Sequence, residues 1–415
     1  MPQPDPTLVA FPAAQPPVKP PRDLRIDMFR GLALVMIFVD HVPGNPYEAF
    51  TSRNFGFSDA AEAFFVMSGI AAGIAYSGRF LPDTLRRNGH WAAISPIWAR
   101  AWTLYLVHVF LTAWAIAIFA WGASTFVLPE LRQAINLRQV FENTGPALAG
   151  VPALTHQLGY VNILPAYAVL LVCLPAAIVL GLRRPWTLAL LSALLWYAAG
   201  HFRLNLPNYP NPGGWFFNPF SWQVVFVTGL LIGLALRRGE RLVPRSPWLF
   251  WPALAFVVLV LVWVRVPAVA EVLNTGMAWL GAQGAPFHIV AHDKTFVSLP
   301  RLLHILALVY VISSLGWVRS LSGSRIAAPL RLMGRQGLLV FSLGTVLALT
   351  FQVMMAAEPD LSALPWVLPA AGVGLMLAAA WLREEARRRM PRPVGKGQVA
   401  RPVAPVSRAA AVPAE

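Results

Sequence analysis

RIDMFRGLALVMIFVDHVPGNPYEAFTSRNFGFSDAAEAFFVMSG, residues 25–69, decides how the rest of the chain is read. It holds two segments apolar enough to cross a bilayer, and Asp27, Arg30, Asp40, His41, Asp59 and Glu62 stand within or beside them. A charged side chain at bilayer depth costs at least about 2.5–3.5 kcal/mol, so each must face protein, find a partner or do work. His41 follows Arg30 by eleven residues, about 20° past three full helical turns, so both project from one face about 16 Å apart. That is about half of a hydrocarbon core roughly 30 Å thick. One helix would present a guanidinium toward one leaflet and an imidazole toward the other, and the expectation is that both border a single continuous cavity.

Composition supports a membrane setting. Of 415 residues 57% are hydrophobic and 12% charged, which indicates an all-α, polytopic integral membrane protein and excludes an ordinary soluble globule. The net charge of +15 does not call for nucleic acid, because the arginines sit between apolar spans. The lone Cys173 lies in an apolar run, so neither a disulfide framework nor a CxxC motif exists, and an inert thiol is expected. No apolar h-region of a signal peptide precedes the first span.

Apolar segments recur at 27–42, 58–76, 94–121, 162–182, 186–201, 222–236, 248–264, 299–317, 330–354 and 364–382. About ten transmembrane helices are expected, with 266–279 as a candidate re-entrant piece. Arginines concentrate in alternate loops (Arg79, Arg86 and Arg87; Arg183 and Arg184; Arg237 to Arg245; Arg319 to Arg331), which makes those loops and both termini cytoplasmic. The domain plan is a disordered Pro-rich tail over 1–23, a transmembrane domain over 24–382 and a basic, disordered tail over 383–415 lying against anionic lipid headgroups. Among the external loops, NYPNPGGWFFNPF (208–220), which includes Asn218, alternates aromatic faces with amides, as a sugar site would. An interfacial aromatic belt is the other reading. No repeat of fixed period is present, which weakens an inverted-repeat transporter.

With these orientations Asp40, His41, Asp59 and Glu62 share the outer half, where Asp59 and Glu62 also fit a capping box. The outer half gains Asp293 and Lys294 of HDKT, which alone would suit a solvated loop, and Arg301 and His304 three residues apart on one helix face. The inner half holds Asp27, Arg30 and Arg100. Two arginines in an apolar bundle suit an anionic ligand, although Arg30 could simply pair with Asp27. His108 is left out as a satisfied buried histidine. A cationic inner half and an imidazole-carboxylate outer half suggest group transfer from an anionic cytoplasmic donor to an external hydroxyl. His41 would act as base, Asp40 or a second-span carboxylate would orient its ring, and Arg53 would stabilise the oxyanion. Transport of an anion or glycan without covalent chemistry is the alternative, and no metal is required.

The motifs resemble a known family. FRGLALVMIFVDH is similar to the R-x(10)-H signature of the acyltransferase-three membrane superfamily, and DAAEAFFVMSG to its FF-x-x-SG pattern. More narrowly, RIDMFRGLALVMIFVDHVPGNP, TSRNFGFSDAAE, NPFSWQVVFVTGL, DKT…LPRLLHILALVYVI and LMGRQGLLVFSLG resemble the OpgC family over about residues 24–352. The resemblance implies a bacterial inner-membrane enzyme that succinylates osmoregulated periplasmic glucans. It further implies acyl-CoA, succinyl-CoA in the family, as co-substrate with no permanently bound cofactor, and functional roles for Arg30 and His41. One departure stands at Asn162 in LGYVNILPAY, where the family carries an acid. An acid with a part in the chemistry would make this member's substrate differ. An acceptor such as a lipid-linked sugar also fits, and the oligomeric state is left open.

Overall fold

In the computed structural model, which describes residues 23–390, each expected apolar segment falls largely on a helix. The chain opens with α1 (Leu24–Asp40), α2 (Ala60–Tyr76) and the long α3 (Pro82–Thr125), which is broken where Gly89 takes a φ of 77°. The following loop carries α4 (Arg138–Glu142) and α5 (Thr144–Gly150). Then come α6 (Ile163–Arg183), α7 (Pro185–His201), α8 (Pro219–Arg237), α9 (Pro247–Arg265) and α10 (Pro267–Ala282). The short α11 (Phe287–Val290) precedes α12 (Leu299–Ser314), α13 (Gly316–Gly323), α14 (Ala328–Arg335), α15 (Gly337–Ala357) and α16 (Leu364–Arg389). Proline opens α3, α7, α8, α9 and α10, where its missing N–H would have had no helical acceptor.

Seven described helices are long and apolar enough to cross a membrane, or eight if α12 and α13, bent by 76°, form one span. The expected total of about ten differs from this through α1 and α7, which have 17 residues each. The candidate re-entrant piece is α10, which buries none of its residues and is tied to α9 by the Trp263 indole N–H donating to Asn274 Oδ1 at 3.1 Å. α9 buries only Val260 and exposes Trp248 and Trp251, a surface suited to lipid. Cys173 is also exposed, on α6. The basic tail expected from residue 383 is helical as far as Arg389. An Arg389–Glu385 pair at 2.9 Å and an Arg335–Glu384 pair at 3.4 Å support that last stretch of α16. Most of the two expected tails, 1–22 and 391–415, lies outside the described residues.

Helix association in lipid gains little from hydrophobic burial, so close backbone packing has to hold the bundle. α2 carries GIAAG, with Gly69 and Gly73, and α8 carries GLLIG, with Gly229 and Gly233. A Cβ on Gly69 would collide with the Phe226 carbonyl oxygen, and one on Gly229 with that of Val66. α1 and α14 meet equally closely, since a Cβ on Gly31 would strike the Leu330 carbonyl and one on Gly334 that of Asp27. Replacing Gly69 with alanine is therefore expected to cost about 1–3 kcal/mol of stability through overpacking, read as a lower unfolding midpoint in detergent. Gly276, whose Cβ would meet open space, is the control position. Beside the α2–α8 contact, Phe65 and Trp222 are fully buried with ring centroids 4.8 Å apart.

Candidate active site

The sequence HVPGN ends α1 abruptly. The Asn45 amide donates to the Val39 and Val42 carbonyls, Gln352 Nε2 donates to the His41 carbonyl at 2.7 Å, and Gly44 turns the chain with a φ of 76°. These bonds fix the backbone of His41 and leave its ring half-buried. The imidazole meets the Tyr160 ring at 4.3 Å between centroids, and Lys294, Asp59 and Arg53 are its charged neighbours. Tyr160 itself has a φ of 69°, a conformation that non-glycine residues rarely adopt and that often marks a functional constraint.

Among the described residues no hydrogen bond reaches the ring nitrogens of His41. That corrects the expected role of Asp40, whose Oδ1 instead accepts from Thr51 Oγ1 at 2.7 Å. Arg53 is exposed and is a charged neighbour of both Asp40 and His41.

Next to His41 lies a four-membered ion cluster. Asp59 caps α2 by accepting from the Ala61 N–H at 2.8 Å, and Glu62 closes the capping box by accepting from the Asp59 N–H at 2.9 Å. The same carboxylates hold cations, since Lys294 Nζ stands 2.5 Å from Asp59 Oδ2 and Arg301 bridges Asp59 at 3.2 Å and Glu62 at 2.6 Å. Glu62 is fully buried and Arg301 nearly so. Two carboxylates and two cations balance, which is what makes their burial tolerable. Hence HDKT is no solvated loop: the Trp222 indole donates to the Lys294 carbonyl at 3.1 Å and the Trp196 indole to that of Val297 at 2.9 Å.

His304 lies against Gly56, and its Nδ1 accepts from the Ser58 N–H at 3.2 Å, which leaves Nε2 to carry the proton of the neutral ring. His292 packs on Phe57 at 4.3 Å, and its imidazole is held below its ordinary pKa by burial and then by Arg301. Among the described residues no group of three or more His, Cys, Asp or Glu is placed to hold a metal ion.

Asn218 is fully buried, and its amide is spent: Oδ1 accepts from the Phe220 N–H at 3.1 Å as the cap of α8, and Nδ2 donates to the Leu204 carbonyl at 2.7 Å. This corrects its expected contact with substrate. Asp293 receives the Phe296 N–H at 2.7 Å and so shapes the turn that presents Lys294. Toward the N-terminal end of α1, Asp27 is buried and Arg30 donates to the Met67 carbonyl at 3.3 Å. Arg100, half-buried on α3, is a charged neighbour of the Tyr76 phenol. Tyr160, Thr51, Ser58 and Gln352 were absent from the sequence-based set, and nothing in their local sequence distinguishes them.

A cavity of about 760 Å³ runs between α1, α2, α8, α9 and α12. At one end stand Asp23, Arg25, Arg241 and Ser313, at the other Ser52, Ser58 and Asp59, and the walls between are apolar, as at Phe29, Met36, Met67 and Phe256. Its first end is cationic. Arg25 pairs with Asp23 at 2.6 Å and donates to the Ser313 carbonyl, which Arg241 also reaches, at 3.1 Å, with Arg245 as a charged neighbour. Contrary to expectation, neither Arg30 nor His41 lines this cavity. α1 turns Phe29, Ala33 and Met36 toward it, roughly a quarter-turn from the face of Arg30 and His41. Arg30 lies behind the wall, on the carbonyl of the lining residue Met67, and His41 is linked to the other end of the cavity through the charge of Asp59.

Comparison with curated proteins and with solved structures finds no match. A family model described as OpgC protein matches residues 22–388, and the chain accordingly belongs to the OpgC family.

Proposed function

We propose that this protein is an O-acyltransferase of the bacterial inner membrane. It carries an acyl group, succinyl by family resemblance, from cytoplasmic acyl-CoA to hydroxyls of periplasmic glucans, and shares this chemistry with the wider acyltransferase-three superfamily. The observation that carries the reading is the cavity whose cationic end lies at Arg25 and Arg241 and whose other end stops at Asp59, beside His41. The guanidinium end suits the phosphates of the donor and the apolar walls suit its uncharged arm, while the carboxylate of the succinyl group travels on with the thioester toward the charges of Arg53 and Lys294. In this reading ten helices cross the bilayer and both termini face the cytoplasm, which puts the arginine end on the side of the donor.

The chemistry then needs four groups. His41 takes the proton of the acceptor hydroxyl as its oxygen attacks the thioester carbonyl. The oxyanion forms next to Arg53 and Lys294, whose charges stabilise it. Collapse of the tetrahedral intermediate breaks the carbon–sulfur bond, and the thiolate leaves with the proton returned by the imidazolium. Tyr160 meets the ring at a tilt of 49° and holds it in place, the part first expected of Asp40.

Incubating the protein in vesicles with acyl-CoA labelled in the acyl group, and a glucan on the opposite side, tests the proposal. Label should accumulate on the purified glucan in ester linkage. Glucan that crosses the membrane unlabelled would instead establish a transporter, and label on another sugar acceptor would keep the reaction and replace the substrate.

A further inference from the structure

A second cavity, of about 500 Å³, opens among the loops that follow α7 and precede α12, lined by Arg203, Asn205, Gly213, Gly214, Asp293 and Thr295 among others. Its polar walls are built rather than incidental. Residues 205–215 fold back as a tight loop, with the Asn208 N–H donating to Gly213 at 3.1 Å and the Trp215 N–H to Leu206 at 2.9 Å. The Asn205 amide ties the two arms of that loop, donating to the Trp215 carbonyl at 2.9 Å, and a Cβ on Gly214 would collide with it. Arg203 adopts a φ of 55°, unusual for a non-glycine residue, and lays its guanidinium over the Phe287 ring at 3.6 Å. Neither an ion pair nor a hydrogen bond with a described residue occupies that guanidinium.

We propose that this cavity is a subsite for a neutral, polyhydroxylated sugar residue of the acceptor. This rests on the acyltransferase reading and names residues for it. A lone anion would meet the carboxylate of Asp293, and a lone cation would meet Arg203. A ligand carrying hydroxyls, each both donor and acceptor, satisfies Arg203, Asp293 and Thr295 together. Tyr209 on this loop and Phe216 just beyond it expose aromatic faces, outside the cavity lining, that suit the flat side of a sugar ring. The subsite is joined to the reacting centre by one peptide bond, because Asp293 lines it while Lys294 holds Asp59 and neighbours His41. A chain of sugars seated here would lead its next residue toward the imidazole.

Titration of a neutral β-linked gluco-oligosaccharide into the full-length protein in detergent, followed by tryptophan fluorescence, tests the assignment, with succinate and phosphate as controls. The unaltered protein and His41→Ala should bind the sugar equally, and neither succinate nor phosphate should compete with it. Arg203→Gln combined with Thr295→Val should weaken sugar binding at least tenfold, and raise KM for glucan with kcat and donor KM unchanged. Sugar binding that is absent from the unaltered protein, or the same in the double variant, overturns the subsite. Binding that depends on Arg203 and Thr295 in a protein that never transfers label keeps the subsite and removes the acyltransferase reading.

Discussion

His41→Ala is expected to lower acyl transfer to glucan by about 10²–10⁴-fold, the usual contribution of a positioned base. The loss should fall on kcat, because the imidazole lines neither of the two cavities. Folding should survive, since the backbone of His41, not its ring, carries the structural bond to Gln352, and no described group loses a hydrogen bond when the ring is removed. The measurement is the initial rate of label transfer at saturating donor and glucan, with the melting midpoint as the check on integrity. A correctly folded His41→Ala protein that acylates glucan at the parental rate would rule out the imidazole as base. Phe at position 160 in place of Tyr should retain most activity, because the ring rather than the hydroxyl meets His41.

The largest effect on stability is expected from Arg301→Met. Arg301 is the bridge between Asp59 and Glu62, and Glu62 is fully buried, so removing the guanidinium strands a carboxylate in low dielectric. Breaking one partner of such a pair costs about 3–5 kcal/mol. The same substitution combined with Glu62→Gln should recover part of the loss, because the neutral amide needs no counter-charge and can still accept from the Asp59 N–H. Lys294→Met should cost less, since Lys294 is more exposed and Asp59 keeps Arg301. Detergent melting curves for the three variants check the order. A single Arg301→Met variant melting with the parent would mean that Asp59 and Glu62 are already neutral and that the cluster is not ionic.

The helical fold with apolar, span-length helices and the meeting of the ions at the start of α2 were legible because hydrocarbon tolerates few ions, so each ionisable residue in an apolar run announces a constraint. Helical period put Arg30 and His41 on one face, but it could not say which neighbour that face meets. The cavity runs along the adjoining face, and only the packing of α9 and α12 decides this. Lys294 and Asp59 are 235 residues apart, so no local pattern distinguishes their pair from two solvated ends of a loop. Asn218 shows the opposite difficulty. An amide before a proline fits a helix cap as well as a sugar contact, and burial decides for the cap. GIAAG and GLLIG were visible as residues, yet their meaning depends on each finding the other across the bundle.

That mutual seating of α2 and α8 bears on how a group could get across the bilayer. Main chain rests on main chain along both glycine pairs, leaving no side-chain cushion on which the two helices could slide or rock. A carrier that exposes its site alternately to each side would have to shear this seam, whereas threading a slender arm past a stationary wall leaves it untouched. Cross-linking α2 to α8 away from these glycines, where a Cβ has room, should therefore spare turnover in an enzyme of the second kind and arrest the first.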